Sequence, residues 1–132
     1  MRHTAIGLCV TAMLALLFPA FALPTIAPMA GGWTISRTSE WPDACSLVLQ
    51  TTPAIGGYGL RLRRGCTAAF AWTGDVMAWR LGPDGSLVLA DGTRHGVIRF
   101  APLDDGDWVG RGPDGQDYVI TRDKTHHKKE RK

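Results

Sequence analysis

The sequence predicts an all-β domain: an eight-stranded antiparallel up-and-down β-barrel with one disulfide. Three observations predict it. Turn signatures recur at Pro83-Asp84-Gly85, Asp91-Gly92, Asp104-Asp105-Gly106 and Pro113-Asp114-Gly115. Each joins a residue that presets φ, or bonds back to its own backbone, to a glycine that accepts φ > 0. Between the turns, apolar and polar residues alternate with period two, and no stretch longer than about two turns carries a helical period. Short strands at roughly 8 to 12 residue spacing must close or be covered to protect their edges, which favours a barrel.

The chain opens with a secretory signal peptide, residues 1–22. Arg2 and His3 make a short basic start, Ala5 to Phe18 is almost continuously apolar, and Ala20-Phe21-Ala22 fits a small-x-small cleavage site. The apolar run is short for a bilayer span of about 20 residues, so no stable membrane insertion is expected after cleavage. Cys9 leaves with the peptide. Residues 23–31 then form an extended N-terminal arm, because Pro24 and Pro28 bias their neighbours away from helix and deny a central strand.

The barrel domain, residues 32–122, begins with a strand from Trp33 to Ser36. Trp41-Pro42-Asp43 reads as a loop, and Cys45, Leu47 and Leu49 alternate with polar or outward residues through Gln50. Ile55-Gly56-Gly57 turns the chain into a third strand, Tyr58 to Arg63, which Arg64-Gly65 leads to Cys66. Thr67 to Ala71 is alanine-rich and suits a helical turn or a loop. Val76 to Leu81, Leu87 to Ala90, Val97 to Ala101, Asp107 to Gly110 and Gln116 to Thr121 complete the eight. Residues 123–132, rich in Lys, Arg and His with no apolar residue after Asp123, are expected to be a disordered basic tail.

Two cysteines remain after cleavage, in a chain bound for an oxidising compartment, so Cys45 and Cys66 read as a disulfide. They fall near the ends of two adjacent strands away from their shared turn. Two free buried thiols are the plainer alternative; a zinc site lacks a second cysteine pair. The formal charge of the whole chain is +3. Arg122 to Lys132 holds six basic and two acidic side chains, so the domain ahead of it is slightly acidic and the basic character belongs to the tail. Nucleic acid is not an expected partner; a tail contact with anionic lipid or polysaccharide is the third function class the sequence admits.

No catalytic constellation is legible, so an enzyme is not expected, and neither is a cofactor. His95 lies in a polar turn, His126 and His127 lack a third ligand, and there is no glycine-rich phosphate loop or metalloprotease helix motif. Tryptophans 33, 41, 72, 79 and 108 could line a ligand cup, giving a small-ligand or glycan-binding barrel as the alternative function. Eight strands, however, leave an interior that side chains just fill, and core is the expected role. Arg61, Arg63 and Arg64 could form a polyanion patch or be ordinary outward positions of a strand.

Across most of the domain the chain resembles the alkaline proteinase inhibitors, secreted bacterial inhibitors of serralysin-type zinc metalloproteases. The matching residues are Gly32-Trp33, Cys45 with Leu47 and Leu49, Tyr58 to Leu62 leading to Cys66, Trp79-Arg80 with Pro83-Asp84-Gly85 and Leu87/Leu89, Phe100, and Gly115 with Tyr118, Ile120 and Arg122. The resemblance implies a periplasmic or secreted monomer whose arm enters the cleft of a secreted zinc metalloprotease and brings its α-amino group to the catalytic zinc. By position the protease-binding arm is Leu23, Pro24, Thr25, Ile26 and Ala27. The chain departs from the family there: family arms begin with small serine-type residues and are longer, with a helical turn, whereas Leu23-Pro24 begins this one and nine residues precede Gly32.

Overall fold

A computed structural model describes residues 25–38 and 43–124. The expected signal peptide, Leu23 and Pro24, residues 39–42 with the Trp41-Pro42 pair, and the expected tail from residue 125 lie outside the described residues. The eight strands are β1 (Gly31–Arg37), β2 (Ala44–Ala54), β3 (Gly57–Leu62), β4 (Ala78–Leu81), β5 (Leu87–Ala90), β6 (Gly96–Pro102), β7 (Trp108–Arg111) and β8 (Asp117–Arg122). Each pairs antiparallel with its neighbour in sequence, and β1 pairs with β8 to close the barrel. The expected architecture is the observed one.

Alternation decides what faces the axis. Trp33 and Ile35 of β1, Leu47 and Leu49 of β2, Trp79 of β4, Leu87 and Leu89 of β5, Ile98 and Phe100 of β6, and Tyr118 and Ile120 of β8 form one buried cluster. Trp79, Tyr118, Phe70 and Phe100 are among the largest fully buried side chains, so the bore is filled rather than hollow. Trp33 and Trp72 are buried as well, and Trp108 packs against the cluster from a half-buried position. The tryptophans described here build core, not a cup.

Three local features differ from the expectation. β2 runs past Gln50 to Ala54, with a register shift between Leu49 and Pro53. The bulge frees the Gln50 carbonyl from the ladder, and the buried Trp79 indole N–H donates to it at 2.8 Å. β5 is buried at all four positions rather than on one face. The β2–β3 tip covers its outside: a Cβ at Gly56 would sit 3.6 Å from that of Ala90 and 3.7 Å from that of Ala78, which is why those outward positions are small. The alanine-rich segment, expected as a helical turn or a loop, is the helical turn: α1 (Cys66–Ala69) followed by a 3-10 turn, Ala71–Asp75.

The third difference concerns the hairpin turns. Gly82–Ser86, Asp91–His95, Leu103–Asp107 and Gly112–Gln116 share one construction, in which the first N–H donates to the fifth carbonyl and the fourth N–H to the first carbonyl. Such a turn needs a left-handed fourth residue, supplied by Gly85 (φ 81°), Gly106 (88°) and Gly115 (80°). In the remaining turn the left-handed residue is Arg94 (φ 73°), not Gly92 as the Asp-Gly pair suggests. A side chain there costs about 1–2 kcal/mol relative to the right-handed region.

The Cys45–Cys66 bond is formed, with the Cα atoms 4.6 Å apart. It ties α1 to the start of β2, and the segment it holds closes one end of the barrel. Phe70 and Trp72 descend from this plug onto Tyr118 edge-on, with ring centroids 5.0 and 5.2 Å away. The Tyr118 hydroxyl in turn donates to the Asp114 carboxylate. Burial pushes the Asp114 pKa up, but the Tyr118 hydroxyl and the Gln116 N–H outweigh it and hold the group below the ordinary aspartate value.

Candidate functional site: the arm and its mount

In an up-and-down barrel successive connections alternate between the two ends. The plug and the β5–β6 and β7–β8 turns occupy one end, so the chain before β1 and the β4–β5 and β6–β7 turns leave from the other. The arm therefore departs opposite the disulfide. Its described part is not extended throughout: Ala27–Met29 form a single 3-10 turn with Pro28 inside its first positions. Proline is tolerated there because its fixed φ suits a first helical turn and its missing N–H is not needed. Met29 N–H bonds Ile26 O at 2.9 Å and Ala30 N–H bonds Ala27 O at 3.1 Å.

The turn is fastened to the barrel. Ile26 and Met29 are half-buried and pack against the core cluster. The Trp33 indole N–H donates to Met29 O at 2.8 Å. Arg122, paired across the β1–β8 seam with Trp33, lays its guanidinium 4.5 Å above the Trp33 ring. The same guanidinium donates to Ala30 O at 3.1 Å and to Pro28 O. Gly31, at φ 119°, lets the chain bend from this mount into β1. Beside it Asp123 N–H bonds Gly32 O at 3.0 Å, and Thr34 Oγ1 donates to the Asp123 carboxylate.

The residues expected to carry function thus divide. Thr25 and Ala27 are exposed, Ile26 is half-buried against the barrel, and Leu23 and Pro24 lie outside the described residues. Arg122 and Trp33 as the mount were not foreseen as functional. Their sequence signal is membership of the residues that carry the family resemblance; that an aromatic of the first strand meets a cation of the last emerges only when the seam closes. The rim around the arm holds the β4–β5 turn and the exposed Leu103, Asp104 and Asp105. The Ser86 hydroxyl and N–H bond the Asp84 carboxylate and lower its pKa, with Arg99 at 3.4 Å, so the group stays ionised.

Among the described residues no group of three or more His, Cys, Asp or Glu is placed to hold a metal, and no helix is long and apolar enough to cross a membrane. What the arrangement offers is a filled, cross-linked scaffold with the segment from Ile26 to Ala30 fastened at one end.

The family model described as "Protease inhibitor Inh" matches residues 23–122. A solved structure, the "crystal structure of a psychrophilic marine protease MP inhibitor", superposes with a TM-score of 0.56 at 21% identity, covering 74% of this chain and 97% of that one. A similarity at that identity speaks to the fold. Comparison with curated proteins returned no match.

Proposed function

This chain belongs to the Inh family of protease inhibitors, and on that premise we propose that it inhibits a secreted zinc metalloprotease of the serralysin type by arm insertion. The supporting observation is the mount: Arg122 and Trp33 grip the carbonyls of Pro28, Met29 and Ala30. Only residues ahead of Ile26 are left to project. Cleavage after Ala22 makes the projecting piece Leu23-Pro24-Thr25, with a span of about 10 Å at full extension. Its α-amino group, once deprotonated, can ligate the protease zinc in the position a substrate or water otherwise holds.

Pre-organisation compensates for so short a reach. Pro24 restricts Leu23 to extended conformations, and the 3-10 turn fixes the direction of exit, so little conformational entropy is lost on docking. With the projecting piece this short, the rim meets the protease whenever the amine meets the zinc. Leu103 and the acidic Asp84, Asp104 and Asp105 then form a second contact, suited to a partly apolar, cationic surface beside the cleft. The signal peptide and the disulfide fit a periplasmic or secreted protein.

The test is a titration of the mature chain, its N-terminus confirmed by mass, against a serralysin-type protease, alongside a version lacking Leu23 to Thr25. The full chain should abolish activity stoichiometrically. The shortened one should not inhibit while melting at the same temperature. Equal inhibition by both refutes the arm mechanism, and no inhibition by the full chain refutes the choice of target class.

A further inference from the structure

We propose that the groove between the β2–β3 hairpin tip and the β5–β6 turn is a recognition site for a carboxylate carried beside an aliphatic side chain on a partner protein. The groove is lined by Ala54, Ile55, Gly56, Gly57, Arg80 and Arg94. It lies on the outer wall of the barrel, apart from the arm and its mount.

The first ground is Arg94. Three sister turns place glycine in the left-handed position, where it costs nothing, and this turn places an arginine there against its conformational preference. The side chain does nothing for the turn in exchange: it is exposed, and it makes no hydrogen bond or ion pair among the described residues. Only its backbone is used: the N–H donates to Asp91 O at 3.1 Å within the turn, and the carbonyl accepts from Arg80 Nη1 at 3.1 Å. A strained residue whose side chain is locally idle points to a ligand outside the fold.

The second ground is charge. Arg80 Nη1 also bonds Gly56 O at 3.2 Å, which anchors the guanidinium on the floor of the groove. Its Nε and Nη2 make no bond among the described residues, so that edge of the fork remains for a carboxylate. The lining holds two guanidinium groups and no acid. Asp91, in the same turn, is occupied by the N–H groups of Thr93 and His95 and the Thr93 hydroxyl.

The third ground is the wall. Ile55 is 65% exposed, the most exposed large hydrophobic side chain among the described residues, and Ala54 continues the apolar surface beside it. The depression is shallow and open, which suits one or two side chains of a protein surface and not an enclosed acyl chain.

The experiment follows backbone amides of the secreted chain by NMR while acetyl-Leu-Glu-Leu-amide is added, with acetyl-Leu-Gln-Leu-amide as the uncharged control. No protease is present, so the result stands apart from the inhibition reading. The Glu peptide should move the amides of Gly56, Gly57 and Arg94, and the Gln peptide should bind at least fivefold more weakly. Arg94→Gly should raise Tm by about 5 °C through relief of the strain, yet weaken the Glu peptide at least fivefold. Arg94→Lys should keep most of the binding. Equal binding of the two peptides, shifts centred elsewhere or absent at millimolar peptide, unchanged binding in Arg94→Gly, or a fall in its Tm each overturns the proposal.

Discussion

Replacing Arg122 by alanine tests the arm's mount directly. Two hydrogen bonds from the guanidinium to Ala30 O and Pro28 O are lost, together with its stacking on Trp33. Arg122 is exposed, so each bond is taken at about 0.5–1 kcal/mol after solvent screening. The cation–π contact adds about 0.5–1 kcal/mol. Together they hold the 3-10 turn on the barrel by about 2 kcal/mol, which corresponds to roughly a 30-fold change in an equilibrium constant. On the proposed mechanism docking into the cleft must supply the lost order, so the inhibition constant should rise by up to about 30-fold, less to the extent that Ile26, Met29 and the Trp33 indole still hold the turn. Amide exchange is the second readout. Met29 and Ala30 N–H, bonded within the turn, should lose protection while the amides of β5 keep theirs. Arg122→Lys, which retains charge without the fork, should fall between. An inhibition constant within threefold of the parent, with Met29 and Ala30 still protected, would refute the mount.

Two further outcomes concern the scaffold. Replacing Cys45 and Cys66 together by alanine should cost about 3 kcal/mol, read as a fall in Tm of about 12–24 °C; a change under 5 °C would mean that the plug is held by packing alone. The folded pKa of Asp114 is depressed, so its contribution to stability is complete above the unfolded value of about 3.9 and is lost as pH falls through the lower folded value. Chemical denaturation from pH 5 to pH 2 should therefore show a shallower loss of stability for Asp114→Asn than for the parent, and identical slopes would exclude the linkage.

The barrel was legible because its determinants are local. A Pro-Asp-Gly corner and alternating Leu87 and Leu89 announce themselves within a few residues, and the cysteine pair follows from compartment and strand order. What escaped depends on distant parts of the chain. Nothing near Gln50 announces a bulge, since its carbonyl finds Trp79 only after β4 is in place. The Asp91-Gly92 pair misdirects attention because the shared turn construction, not the position of glycine, selects Arg94 for the left-handed conformation. The arm looks merely extended from its two prolines, yet Pro28 is compatible with one helical turn, and the packing of Ile26 and Met29 on the core decides in favour of that turn. Leu23 and Pro24, the residues on which the proposed chemistry rests, precede the described chain and are known from composition and family alone.

The seam between β1 and β8 sets a timetable for the protein. The arm belongs to the first strand, and the guanidinium that steadies it belongs to the last, separated by 92 residues from the Ala30 carbonyl it grips. Contacts of such separation carry the largest loop-closure cost and reward the chain only when the intervening strands are aligned. Until β8 closes the seam, the carbonyls of Pro28 and Ala30 lack the guanidinium that steadies them, so the 3-10 turn is fastened only as the barrel itself is completed.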